Sequence, residues 1–228
     1  MGKNDNGNNG RTELVFVVDR SGSMGGLESD TIGGFNSMLS KQRTIAGECR
    51  VTTLLFDHRI ETLHNHLDIR EVNDLTSRDY WVRGSTALLD AIGLPIDRMI
   101  VTQRHTAAAY RAQHVLFVII TDGYENASRR YSLHQIKQMI TYERERYHWE
   151  FVFLGANIDA EQTAGDFGIS PRCATVFHAD GQGIKASFEA VACAATAVRG
   201  GADLEDLNAP DFLGGVRDDY RSRRRMKR

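Results

Sequence analysis

What this sequence lacks narrows its functions before any motif is read. Its three cysteines, Cys49, Cys173 and Cys193, lie far apart and in no metal-ligand spacing. An odd, scattered set argues against a disulfide framework and fits a reducing compartment. The eight histidines form no HxxxH pair, so a zinc site is not expected. No apolar run is long enough to span a bilayer. The polar start, MGKNDNGNNGRT, has no apolar h-region, and Asn6 stands where N-myristoylation needs Ser or Thr. The expectation is a cytoplasmic protein with no membrane partner. With 28 basic and 30 acidic residues there is no excess of positive charge for nucleic acid, and none is expected as a partner. Neither a repeat nor a convincing linker interrupts the chain.

What is present is an ordinary globular composition, 41% hydrophobic and 25% charged over 228 residues, enough for one core. Residues 1–11 read as a disordered Asn/Gly tail, 12–201 as one folded domain and 202–228 as a polar, basic tail. The tail ends in RDDYRSRRRMKR, seven basic residues against two acidic, and reads as solvated. Between the tails, strands alternate with helices. The runs 13–19, 114–122 and 149–157 are continuously apolar, as strands covered on both faces are. Segments 50–57 and 59–64 are joined too tightly to be parallel and read as antiparallel neighbours, and 174–179 reads as an edge strand. Helices are predicted over 27–46, 85–103 (bent at Pro95), 132–147, a short stretch after Asp159, and 182–199 up to Gly200–Gly201. Ser132/Gln135 and Asp159/Gln162 have capping spacing. Gly33 and Gly34 weaken the first helix and suggest close packing on the sheet. The fold class is α/β: a doubly wound, Rossmann-like and mostly parallel sheet with helices on both faces.

In such folds ligands bind beyond the carboxyl ends of the strands. Those ends carry Asp19-Arg20-Ser21-Gly22-Ser23, Asp57-His58, Asp122-Gly123 and Gly155-Ala156-Asn157, and Thr86 opens the helix between the third and fourth strands. Asp19, Ser21, Ser23, Thr86 and Asp122 make an oxygen-only set of two carboxylates and three hydroxyls. Hard divalent cations take that chemistry, and magnesium keeps some of its waters in an octahedral shell. Hydroxyls are weak donors. An ion held by Ser21, Ser23 and Thr86 directly, with Asp19 and Asp122 acting largely through water, seeks one more anionic ligand from outside.

These stretches resemble a known family. DRSGSM (19–24) looks like the DxSxS signature of von Willebrand factor type A domains, RGSTALLDAIG (83–93) resembles their threonine loop, and VIITDGYEN (118–126) their aspartate loop. The match covers roughly 12–200. With TLLFDH and FLGANIDA it is more similar to stand-alone bacterial or phage members than to integrins or matrix proteins. The resemblance implies a sheet of about six strands, the short third one antiparallel. It also implies a metal-ion-dependent adhesion site whose ligands fall on Asp19, Ser21, Ser23, Thr86 and Asp122. The ion expected is Mg2+, with Mn2+ or Ca2+ as alternatives, and the partner a protein presenting Asp or Glu.

Arg20, Trp81, Arg83, Ser85, Gly123 and Glu125 are placed at the rim of that site. Trp and Arg there would suit a partner contact, and a core role for Trp81 stays equally open. Plainer readings exist for several neighbours. Ser85 would cap the helix after Thr86, Asp57 would be a turn residue beside His58, Asp90 a solvated helix residue, and Glu125, Asn126 and Ser128 caps. The function expected is metal-dependent protein binding rather than enzymatic. The alternative is a phosphoryl-transfer or nucleotide-binding enzyme. Against it, Ser21 stands where an Asp-nucleophile enzyme has its second carboxylate, no lysine is placed for a phosphate, and SGSMGG fits neither nucleotide-binding glycine signature. Because the loops are expected outside the packed core, Asp19→Ala is expected to remove the metal and spare the fold.

Overall fold

The computed structural model describes residues 10–226. The tail expected over 1–11 lies mostly outside them. Among the described residues one six-stranded sheet forms, in the order β3-β2-β1-β4-β5-β6. Its strands are β1 (Thr12–Asp19), β2 (Cys49–Phe56), β3 (Ile60–Asp68), β4 (His114–Thr121), β5 (Glu150–Ala156) and β6 (Ala174–Phe177). All neighbours are parallel except β2 and β3. Every residue of β1 and β5 is buried, which is why those segments carry unbroken apolar runs rather than alternation.

The helices are α1 (Glu28–Arg43), α2 (Leu88–His105), α3 (Leu133–Tyr147), α4 (Ala160–Asp166), α5 (Gly181–Arg199) and α6 (Gly214–Met226). They cover both faces of the sheet, with α1 beside α5 and α2 beside α3. Phe16 of β1 meets Phe35 of α1 edge to face at 5.4 Å, and Phe35 in turn meets Phe188 of α5 at 6.3 Å. Gly34 is the point of closest approach: a Cβ there would collide with the Phe188 ring. The close packing expected of this glycine is therefore helix on helix, not helix on sheet. Buried Arg199 fastens the other end of the pair, donating to the carbonyls of Gln42 and Ile45, the latter at 2.8 Å. The capping boxes at Ser132/Gln135 and the cap of Asp159 on the Gln162 amide form as predicted.

Three expectations change. The second hairpin strand runs on to Asp68, past an irregular register near Thr53 and the left-handed His66 (φ 55°). The helix after Thr86 begins at Leu88, not Ser85, and ends at His105. Most importantly, 202–226 is not a solvated tail. Leu204, Leu213 and Val216 are buried in the core cluster, and α6 lies on β6 and α5. Arg217 donates to the carbonyls of Pro171, Arg172 and Ala174, each at 3.1 Å, and the Tyr220 ring stacks on His178 at 4.5 Å. A few apolar residues among many charges do the docking, and the charge run hid them.

Candidate metal centre

β1 leads to β2 on one side and its other neighbour β4 leads to β5 on the opposite side, so the winding reverses between the carboxyl ends of β1 and β4. The site is built in that crevice. Asp19 ends β1 and is fully buried. Its Oδ1 accepts the Ser21 amide at 2.6 Å, and its Oδ2 accepts the Thr121 hydroxyl at 2.6 Å and the Asp122 amide at 3.4 Å. Its carbonyl accepts the buried Tyr80 hydroxyl at 2.5 Å. Burial pushes the Asp19 carboxyl above its ordinary value, and these hydrogen bonds oppose the shift without cancelling it. The Asp122 carboxyl is also raised, first by burial and then by the nearby charge of Asp19, against the hydrogen bond that Asn157 Nδ2 donates to Oδ1 at 2.7 Å.

The hydroxyls close the group. Ser21 Oγ and Ser23 Oγ are 3.0 Å apart. A Cβ on Gly123 would lie 3.2 Å from Thr86 Oγ1 and 3.4 Å from Ser23 Oγ, so the threonine loop, the serine turn and the aspartate loop meet over this glycine. Thr86 is held by Asn126, whose side-chain oxygen accepts the Thr86 amide at 2.8 Å while its own amide donates to the Thr86 carbonyl at 3.0 Å. All five predicted ligands thus come together. Among the described residues no group of three or more His, Cys, Asp and Glu would hold a metal. This cluster is of another kind, two buried carboxylates with three hydroxyls, and that donor set fits a hard divalent cation.

The burial of Asp19 and Ser21 corrects one expectation: the start of the turn is buried against the sheet, and only Gly22, Ser23, Gly25 and Gly26 stand exposed. Asp19→Ala would leave the Ser21 and Asp122 amides without this acceptor, so it tests the fold as well as the site.

The rim residues divide. Arg20 is fully buried, its Nη2 donating to Glu61 at 2.5 Å and its Nε 3.3 Å from Asp57 Oδ2. Arg83 Nε donates to the same Asp57 oxygen at 2.6 Å. Asp57 is consequently no simple turn residue; it is buried, accepts Arg83 and forms an ion pair with Arg20, with His58 Nδ1 3.0 Å from its other oxygen. Trp81 is at the surface, 44% exposed, and Tyr80 beside it is buried. Ser85 is exposed and caps nothing, because α2 starts later and its first amides, on Leu89 and Asp90, go to Glu125 (2.9 Å) and Ser128 (3.0 Å). Glu125 is spent on those caps and on the Ala127 and Ser128 amides, so it faces away from the rim role expected of it. Asp90 is not merely solvated: it accepts the amides of Arg129, Arg130 and Tyr131, each at 2.9 Å.

Sequence reasoning missed the supports of the site. Thr121 precedes Asp122, and its hydroxyl reads as ordinary β-propensity. Asn157 sits at φ 54°, the left-handed conformation that Asn tolerates, and an Asn just after a buried strand was the only available signal. Tyr80 gave none.

No protein-family model matches the sequence, and no curated protein does. Solved structures do match. Proximal thread matrix protein 1 from the mussel byssus, in a structure with a zinc-occupied MIDAS motif, gives a TM-score of 0.57 at 15% identity over 82% of this chain and 46% of that one. A von Willebrand factor type A structure from Catenulispora acidiphila gives 0.53 at 11% identity, over 80% of this chain and 42% of that one. The vWF domain of the type V pili tip protein Mfa5 from Porphyromonas gingivalis gives 0.56 at 10% identity, over 82% and 95%. The chain spans less than half the length of the first two. The fold is that of von Willebrand factor type A domains.

Proposed function

We propose that this chain is a divalent-metal-dependent protein-interaction module. Asp19, Ser21, Ser23, Thr86 and Asp122 would hold Mg2+, or Mn2+ or Ca2+ in its place, and the ion would take an Asp or Glu side chain of a partner protein. The observation that carries this reading is the convergence of those five residues at the carboxyl ends of β1 and β4: the Asp122 amide on Asp19, the Ser21 and Ser23 hydroxyls 3.0 Å apart, and Ser23 and Thr86 both against Gly123. Their chemistry supports the second half. Both oxygens of Asp19 and one of Asp122 already accept hydrogen bonds from the protein, and the remaining donors are neutral hydroxyls. A cation held there stays short of negative charge, and an outside carboxylate supplies it. A zinc-occupied MIDAS motif in a mussel protein of the same fold supports the metal by analogy of fold alone.

The reading needs no base or nucleophile, and no turnover of generic phosphoesters is expected. Turnover abolished by Asp19→Asn would favour the phosphoryl-transfer alternative. The proposed setting is the cytoplasm, where the free thiols of Cys49, Cys173 and Cys193 stay reduced.

The test is Mg2+ titration calorimetry with thermal melts. At one hundred times Kd, Mg2+ should add about 2.7 kcal/mol of stability. Thr86→Ala and Asp122→Asn should lose that gain while retaining the circular dichroism of the fold. Partners should then be recovered from the source cell in Mg2+ and lost in EDTA. No heat and no shift in Tm with any of the three ions would remove the reading.

A further inference from the structure

Next to the metal loops stands a cluster that the metal itself does not use. Arg83 Nε is pinned to buried Asp57 at 2.6 Å, and its guanidinium carbon lies 4.4 Å from the centre of the Trp81 ring. Among the described residues its two terminal nitrogens donate no hydrogen bond, and Nη2 is 4.0 Å from Glu61 Oε2. Arg20 joins this group, its guanidinium carbon 5.5 Å from the same Trp81 ring, with Glu61 as its own acceptor. Two backbone bonds tie the cluster to the serine turn: the Arg83 amide donates to the Arg20 carbonyl at 2.9 Å, and the Gly22 amide to the Gly84 carbonyl at 3.2 Å. Gly84 makes that contact in the left-handed region, φ +68°, against the His58 ring.

An arginine held at Nε and stacked on an aromatic ring has already lost most of its rotamer freedom. The side chain stays 30% exposed, and its planar fork matches a carboxylate with two parallel donors at little further entropic cost. The chain itself brings a carboxylate to this spot. Glu61, whose side chain is 57% exposed, sits at the edge of the Arg83 fork without closing on it. Half-exposed Trp81 adds an apolar wall of the kind that anchors interfaces.

We propose that Arg83 is a second carboxylate subsite, so that the partner segment bound by this face is doubly acidic. One carboxylate goes to the metal cluster and the other to the Arg83 fork, with Trp81 packing on the segment and Glu61 giving way beside Nη2. This inference rests on the metal-dependent reading above and narrows its partner from any acidic side chain to a pair of them.

The test uses the full chain saturated with Mg2+. Capped alanine-based hexapeptides carrying one Asp, or two Asp separated by zero, one, two or three residues, are titrated calorimetrically. The best two-Asp peptide should bind about tenfold more tightly than the one-Asp peptide. In Arg83→Met that ratio should fall to within a factor of two. In Glu61→Gln, which keeps a carbonyl acceptor for Arg20 Nη2 and removes the competing charge, it should rise. Arg83→Lys, which keeps the charge without the fork, should recover only part of it. A ratio near one for every spacing in the wild-type chain overturns the subsite, as does a ratio unchanged in Arg83→Met or fully restored by Arg83→Lys. Each of those results leaves Mg2+ binding standing. Absence of Mg2+ binding in the first titration instead defeats the underlying reading, and the subsite with it.

Discussion

The Thr121 hydroxyl donates to Asp19 Oδ2 at 2.6 Å, joining the last residues of two adjacent strands that are 102 positions apart in the chain. The register makes this contact, because Val18 of β1 lies opposite Ile120 of β4 and the next residue of each strand follows on. Thr121 therefore sets the orientation of a carboxylate that the metal would need. Removing such a support ordinarily costs 10- to 100-fold in metal affinity. Thr121→Val should lower Mg2+ affinity about tenfold, and Thr121→Ser should restore most of it, as read by calorimetry.

Asn157 plays the same part for Asp122, from the left-handed region. Two substitutions separate its roles. Asn157→Gly and Asn157→Ala both delete the hydrogen bond and should weaken Mg2+ binding to a similar extent. Only Ala also carries a Cβ penalty at positive φ, so its chemical-denaturation midpoint should correspond to a stability about 1 kcal/mol lower than that of the Gly variant.

Asp90 binds the loop after the aspartate motif to α2 through three backbone amides. Asp90→Ala leaves all three without their acceptor and should cost about 2 kcal/mol in urea unfolding. Asp90→Asn keeps one carbonyl oxygen and should cost roughly half as much. Equal losses for the two would mean that the charge, and not the acceptor count, is what matters.

Glu150, at the opposite end of the sheet, predicts a pH effect. Burial pushes its carboxyl up from 4.5 to about 7, helped by the charges of Asp203 and Glu205 and opposed by the Leu204 amide and Arg144. The folded state thus holds this proton more tightly than the unfolded state does. Its contribution is full below about pH 4.5 and is lost as pH rises to 7, by on the order of 2–3 kcal/mol. In Glu150→Gln that slope should flatten, and the variant should melt higher than the wild type at pH 8. Tm measured from pH 4.5 to 8 for both proteins checks it.

Much of the site was legible because its chemistry is local. The serine turn, the threonine loop and the TDG each place oxygen donors at a predicted strand or helix end, and a five-residue apolar run names its own strand. The supports were not legible for a physical reason. Thr121, Asn157, Tyr80 and Asp57 act on residues 26 to 102 positions away. Nothing in their immediate neighbours records a partner at that distance. Glu125 and Asp90 misled in the opposite sense, since a carboxylate near a metal motif looks like a ligand or a solvated charge until the amides it accepts are seen.

By itself the sequence determined the alternation of buried strands and helices, and with it the sheet, because apolar periodicity is written residue by residue. It also determined the donor types at the strand ends. Tertiary structure alone decided which of those donors meet, that Asp57 is buried between Arg20 and Arg83 while Trp81 faces outward, and that α6 docks on β6. Those outcomes depend on strand order, register and the burial of charge. They are properties of segments brought side by side, and no stretch of chain contains both halves of any of them.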